Sequence, residues 1–322
     1  MTTVSTNPGS TEFQMRLPCL YHTATLILQV AHRDDGFLFL SESARNVPKL
    51  DSHHHIELEL NLVVRGSITY VVGERCFTFP ARTLLWLFPE QEHQLVTRSA
   101  DAQLYVAVFK PSLISRSCRT PAYSDLRREN FQSSAILNAH LAPDIFDLIR
   151  KTVDSMMQGS LDPDVLNREA GYGGLSSFPY HVGDPDGLNA GLRHLLLLCW
   201  RSQKTGKVRG DATPLHRSIR RALQLLSDGG SEMNLSQLAK ACGASEAYLS
   251  RIFCKQIGVP LSRYRNSLRL SRFWEEFHQP EQKSLAEAVY AAAFGSYAQF
   301  YKVFTQVYGQ GPRACLASDT KP

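Results

Sequence analysis

The amino-acid sequence points to an α+β chain with more than one domain: a β-rich barrel or sandwich, a helical middle, and an all-helical C-terminal third. Three observations carry this reading. Between about residues 20 and 110, short apolar runs are bounded by Gly, Pro or polar positions, the spacing expected of a barrel or sandwich. From about Leu141 the apolar period lengthens from two to three or four, as in helices. In the last third a pattern recurs: Leu249 and Phe300, Phe253 and Phe304, and Gly258 and Gly309 are each 51 residues apart. A length of 322 residues leaves room for about two domains.

Composition excludes several classes. With 43% hydrophobic and 20% charged residues, the chain is neither disordered nor fibrous. The most membrane-like of its apolar runs, Leu195 to Trp200, is far too short to span a bilayer. The first thirty residues lack a basic start followed by an apolar block, so no secretory signal is expected. Seven scattered cysteines with no C-x-x-C pair argue against a disulfide framework and for reduced thiols in a cytoplasm. The net charge of +5 is unevenly spread. Residues 210–322 carry 14 Lys/Arg against 9 Asp/Glu, whereas the rest balances at 21 against 21. A basic C-terminal module is the electrostatic footprint of a nucleic-acid binder.

The elements divide the chain at about 18, 112 and 208, with the last domain running from 209 to 318. Residues 1–18 are polar and turn-rich, a tail. Residues 19–112 hold the strand-like runs "ATLILQVA", "FLFL", "IELELNLVV", "SITYVVG", "TLLWLF" and "LYVAVF". Trp86 within them is expected to fill the core. Residues 113–208 contain an amphipathic helix with Ile145, Leu148, Ile149 and Val153 at helical spacing. A Gly/Pro-rich loop, a second apolar helix through "LNAGLRHLLLLCW" and a polar linker, "QKTGKVRGD", follow. Packing on the barrel and pairing with a second subunit would both bury these helices.

The C-terminal third is the most specific part. Thr213-Pro214 predicts a helix start, Leu215, Ile219, Leu223 and Leu226 its buried face, and the glycines at 229 and 230 its end. Asn234 with Gln237, and Ser284 with Glu287, are candidate capping boxes. Each precedes a short helix, a Gly-containing turn or its counterpart, and a second helix with a core pair, Leu249/Phe253 or Phe300/Phe304. That is the helix-turn-helix pattern, twice. One longer helix from Pro260 joins the copies. Tyr264, Leu268 and Phe277 can face inward, and Arg263, Arg265, Arg269 and Arg272 are expected outside.

With "LSQLAKACGASEAYLSRIF", "GVPLSRYRNSLRL" and "AFGSYAQFYKVF…GQGP" in this order, about a hundred residues from Leu215 to Leu316 resemble the DNA-binding domain of AraC-type transcription regulators. Departures include Ala293 where a Gly is usual, Lys302 where an Arg is common, and Cys315 where an aromatic is common. The outward positions of the two reading helices are Glu246, Ala247, Ser250, Arg251 and Lys255, and Tyr297, Ala298, Tyr301 and Lys302. The resemblance implies base contacts at Ala247, Ser250, Arg251, Tyr297, Ala298 and Lys302. Arg251 is the strongest candidate, because a guanidinium can grip guanine through two hydrogen bonds.

A second constellation lies in "DSHHHIELELNLVVRG". Period-two alternation puts His53, His55, Glu57, Glu59 and Asn61 on one face and Ile56, Leu58, Leu60, Leu62 and Val64 on the other. The spacing H-x-H-x3-E-x6-G resembles the first cupin motif, and His93 in "FPEQEHQL" resembles the histidine of the second. Three readings are open. The strand is a solvent-facing surface; or His53, His55, Glu57, Glu59 and His93 line an effector pocket for a sugar or similar metabolite; or His53, His55, Glu59 and His93 hold a divalent transition metal.

The expectation is therefore a cytoplasmic, non-enzymatic regulator. It would bind double-stranded DNA through two reading helices and a small molecule through a cupin-like barrel. It would act as a homodimer, with RNA polymerase as a further partner, no membrane and no required cofactor. The competing expectation is a metal-dependent cupin enzyme with an appended helical interaction module.

Overall fold

A computed structural model describes residues 24–25, 34–42, 52–128, 136–160, 184–203, 212–228, 232–277 and 283–319. The expected tail, the Gly/Pro-rich loop, the linker "KTGKVRGD", Cys19 and the glycines at 229 and 230 lie outside them.

Eleven strands form two sheets among the described residues. The first contains β1 (Ala24–Thr25), β3 (His53–His54), β5 (Ser67–Val72), β6 (Arg75–Pro80), β8 (His93–Arg98) and β11 (Thr213–Pro214), in the order β1-β3-β8-β5-β6-β11. The second contains β2 (Gly36–Glu42), β4 (Leu58–Arg65), β7 (Thr83–Leu87), β9 (Gln103–Phe109) and β10 (Leu137–His140), in the order β10-β7-β4-β9-β2. One apolar core runs through both sheets, from Ile68, Tyr70 and Phe79 of the first to Leu38, Leu60 and Val106 of the second. Trp86 sits fully buried there, its ring 5.5 Å from that of Trp200.

Helix α1 (Pro111–Ser117) follows, then a 3-10 turn at Pro121–Arg127, then α2 (Pro143–Ser160) and α3 (Pro185–Gln203). The described part of the span from 113 to 208, expected to be helical with its burial left open between the barrel and a second subunit, differs from or narrows that expectation in two ways. First, β10 lies inside that span and pairs with β7. Secondly, Ile149, Val153, Leu192, Leu196 and Trp200 of α2 and α3 belong to the barrel's own core. Most of their apolar stripes is covered by the barrel of the same chain, although Leu148 of α2 is 48% exposed.

The C-terminal domain is helical: α4 (Arg217–Ser227), α5 (Leu235–Ala241), α6 (Glu246–Ile257), α7 (Leu261–Phe277), α8 (Leu285–Ala291), α9 (Tyr297–Tyr308) and α10 (Pro312–Asp319). Both capping boxes form, with Asn234 and Gln237 at α5 and Ser284 and Glu287 at α8 each exchanging reciprocal bonds. Ser245 and Ser296 cap the second helix of each unit, and Gly258 and Gly309 end those helices in the left-handed conformation. The turns inside the two units are the same shape: Gly243 has φ 63° and Ala293 φ 61°. Alanine adopts that conformation at a cost of about 1 kcal/mol, so the second unit keeps the turn despite its missing glycine.

Three expectations for this domain change. Thr213-Pro214 is not a helix start. It pairs with Cys76 and Arg75 of β6, and the helix begins at Arg217 after a His216 cap. An exposed edge strand offers unpaired backbone groups to any extended neighbour, and the residue before a proline is biased to extended geometry. On α7, Arg263 is exposed as expected, but Arg265 and Arg269 are half-buried, and burial lowers both pKa values. Arg265 donates to the carbonyl of Met233, so it staples α7 to the first unit. Phe277 is half-buried and packs on the second unit's cluster.

Candidate functional site

The alternation from His53 to Val64 does not make one strand. The chain breaks at His55–Glu57, so His53 lies on β3 of the first sheet and Glu59 on β4 of the second. This break brings the histidines together. His53 stands in register with His93 of β8, their rings 4.4 Å apart, and His55 lies 5.2 Å from His93. His53, His55, Glu59 and His93 are all under 9% exposed, which removes the solvent-facing reading. The apolar face is corrected too: Ile56, expected inside, is 56% exposed because it sits in the break.

The cluster is arranged by its neighbours. Nδ1 of His55 lies 3.0 Å from the Glu57 carbonyl and Nδ1 of His93 lies 2.8 Å from the Gln91 carbonyl. A carbonyl only accepts, so each Nδ1 carries hydrogen and donates. Each Nε2 is thereby aimed into the cluster. Nε2 of His55 is 3.2 Å from the Glu59 carboxylate, and Nε2 of His93 is 3.9 Å from it. Asn61 donates to the other Glu59 oxygen at 2.6 Å and reaches the Tyr70 hydroxyl at 3.3 Å. Glu57 does not join them. It is buried at the Nδ1 side of His55, 3.7 Å away, and feels the charge of Lys110. Asn61 and Tyr70 are the members that sequence reasoning missed. Asn61 carried a signal, as it alternates in step with Glu59; Tyr70 arrives from β5 and carried none.

Electrostatics separates the two imidazoles. Burial pushes His93 down to about 4, so it is neutral at ordinary pH. Burial also opposes charge on His55, but the hydrogen bond and the charge of Glu59 outweigh it and raise its pKa. Burial would raise Glu59; the His55 hydrogen bond, the imidazole charges and Asn61 reverse that and hold it ionised. Nε2 of His93 is then an unprotonated lone pair, buried, with no hydrogen-bond partner. That is the expected state of a waiting ligand nitrogen, its other nitrogen tied to a backbone carbonyl. One donor atom from each of His53, His55 and His93 lies within 4.8 Å of the others. The donor set fits a divalent transition metal.

These shifts predict acid lability for the chelator-treated protein. The unfolded chain protonates His93 first, so stability is intact above about pH 6.5 and falls between 6.5 and about 4. Glu59 works in the same direction below pH 4.5, whereas His55 contributes below 6.5 and is lost as the pH rises through its raised value. Thermal melts of the wild type against pH should show the fall, and His93→Leu should flatten the part between 6.5 and 4.

The candidate nucleic-acid face lies at the other end of the chain. Glu246, Ala247, Arg251 and Lys255 are exposed along α6, with Ser250 half-buried; Tyr297, Ala298, Tyr301 and Lys302 are exposed along α9. Leu249, Phe253, Phe300 and Phe304 point inward and are fully buried. The Arg251 guanidinium lies 5.6 Å from the Tyr248 ring centre, which steadies it on the helix surface.

Two family models match. Residues 45–163 match an AraC-like ligand binding domain, and residues 238–318 match a helix-turn-helix domain. Between them they span more than half of the chain. It belongs to the AraC-type transcription regulators. An AraC-type chain acts by binding DNA under the control of an N-terminal ligand-binding domain, and the enzyme alternative is set aside with that assignment. Solved structures similar to it are distant. An apo ToxT variant from Vibrio cholerae strain SCE256 is 12% identical, with 88% of this chain and 97% of that chain covered at a TM-score of 0.34. Unsaturated fatty acid bound wild-type ToxT from the same strain is 13% identical, with coverages of 87% and 94% and a TM-score of 0.34. The AraC-like transcriptional activator CuxR is 12% identical, with coverages of 81% and 83% and a TM-score of 0.29. No curated protein matches the chain. Among the described residues, no helix is long and apolar enough to cross a membrane.

Proposed function

We propose that this AraC-type regulator reads duplex DNA with the exposed faces of α6 and α9, and that the ligand controlling it is a divalent transition metal bound by His53, His55, His93 and Glu59. The observation that carries the metal reading is the orphaned Nε2 of His93, buried beside an ionised carboxylate. Imidazole rings 4.4–6.1 Å apart leave room between them for an ion but not for a sugar ring, which favours the ion over a metabolite. No chemical step is required of the metal. It would cross-link β3, β8 and β4, and these residues would hold it without turning over a substrate.

The regulator acts in the cytoplasm, where scattered thiols stay reduced. Two copies on one operator would present four reading helices, and the homodimer would meet RNA polymerase beside that site.

The test uses the full chain. Duplexes selected from a random pool are bound at rising salt, and the affinity is expected to fall steeply as counterions are released. Purified protein is then titrated with zinc, manganese and nickel chlorides. Stoichiometric binding that rises with pH, as His55 gives up its proton, and that is lost in His93→Ala, is expected. DNA binding with no metal uptake from any of the three salts would end the metal reading and leave the DNA reading intact.

A further inference from the structure

The barrel and the DNA-binding domain meet on one face, and the meeting is unequal. On the outer side of the first sheet, Val71, Cys76 and Val96 enter the same buried cluster as Leu215, Ile219, Leu223 and Phe253 of the first helix-turn-helix unit. The second unit's cluster, around Phe273, Phe300 and Phe304, contains no barrel residue. Arg98 of the barrel, at the far end of β8 from His93, bears electrostatically on Tyr308 of the second unit.

The first unit is also tied by backbone. Strand β11 pairs with β6, and Leu215 donates to the Glu74 carbonyl at 2.9 Å. Gln256, near the end of α6, then clamps that strand: it accepts from the His216 amide and donates to the Pro214 carbonyl, both at 2.9 Å. The Cys76 thiol donates to the Gln256 carbonyl at 3.5 Å. A shift of the sheet edge is therefore a shift of α6.

One residue joins this interface to the histidine cluster. Successive residues of a strand point to opposite faces. On β8, His93 points into the barrel and Gln94 points out. Gln94 is 3% exposed and donates to the Tyr264 hydroxyl at 3.1 Å and to the Ser227 hydroxyl at 3.3 Å. Tyr264 is on α7, its ring 5.2 Å from that of Phe253 on α6; Ser227 ends α4. Beside this bridge lies a cavity of about 300 Å³, lined by Gln94, Arg220, Leu223 and Ser227.

We infer that occupancy of the histidine cluster adjusts the first reading head, α6, and not the second, through β8 and the Gln94 bridge. The inference rests on the cluster being the effector site. Coupling of this kind needs a physical element that both sites bias; here it is the His93–Gln94 step of one strand.

The experiment is a double-substitution cycle in the full-length protein. Glu59→Gln, Gln94→Ala and the pair are compared for affinity to a selected duplex. They are also compared on two derivatives in which only the segment under α6, or only that under α9, is scrambled. The pair is expected to depart from the product of the single effects by about threefold or more. The departure should survive scrambling under α9 and vanish with scrambling under α6. A product within about twofold, or a departure that follows the α9 segment, overturns the inference. If either variant fails to fold, Tyr264→Phe replaces Gln94→Ala, and zinc chloride replaces the pocket substitution, with the same expectations. Zinc that shifts the wild type and Gln94→Ala equally overturns the bridge and leaves the site reading standing. A non-additive cycle in protein that takes up none of zinc, manganese and nickel ends the metal reading and leaves the bridge standing.

Discussion

Replacing Phe253 by alanine is expected to destabilise the protein by about 3–5 kcal/mol, the usual cost of deleting a fully buried aromatic ring. The ring is completely buried, packs 5.2 Å from Tyr264, and lies in the cluster that joins the first helix-turn-helix unit to the barrel. The cavity left behind would loosen two things at once: the seat of α6, and the contact between α4 and the outer sheet. Phe304→Ala removes an equally buried ring, but from a cluster with no barrel residue. Denaturant melts should show a loss in both variants. Amide exchange should separate them: Phe253→Ala should raise exchange in α4, α6 and strands β6 and β8, and Phe304→Ala in α8, α9 and the end of α7 that carries Phe273 and Trp274, with β6 and β8 unchanged. Unchanged exchange in β6 and β8 for Phe253→Ala would refute the shared core.

The second large effect is on specificity. Arg251→Ala is expected to lose about 1–3 kcal/mol of discrimination at one base pair, the worth of a bidentate contact to guanine. Arg251 is exposed on the outer face of α6, and the Tyr248 ring beneath its guanidinium limits the freedom lost on binding. Arg217, also exposed but at the start of α4, serves as the control. Its removal should weaken all sequences alike and reduce the salt slope by about one charge. Selection from a random pool with each variant reads both outcomes. A binding motif unchanged in Arg251→Ala would remove Arg251 from the base-reading set.

Much of the DNA-binding half was legible because its signals are local. A capping box spans four residues and a core pair five. Both reading-helix units, with Ser245, Gly258 and Gly309 in their caps, therefore stand where periodicity places them. The errors fall where a distant partner decides. Thr213-Pro214 reads as a helix start but finds the free edge of β6. Arg265 reads as an outward charge but finds the Met233 carbonyl. Strand alternation assigned His53, His55 and Glu59 to one face and was right that they belong together. It could not see that a break at His55–Glu57, rather than a continuous strand, assembles them.

Residue types, short-range spacing and charge placement were enough to establish two tandem groove-reading units, a β-rich partner domain and a candidate set of imidazoles. Those features depend on hydrogen bonds and packing within a turn or two of chain, where neighbours are known in advance. Only the tertiary structure decided that α2 and α3 cover the barrel, that Glu57 faces away from the cluster, and that Gln94 stands between the histidines and the first reading head. Each depends on which surfaces meet across tens to hundreds of residues. Desolvation and long-range contact, absent from any local pattern, settle that choice.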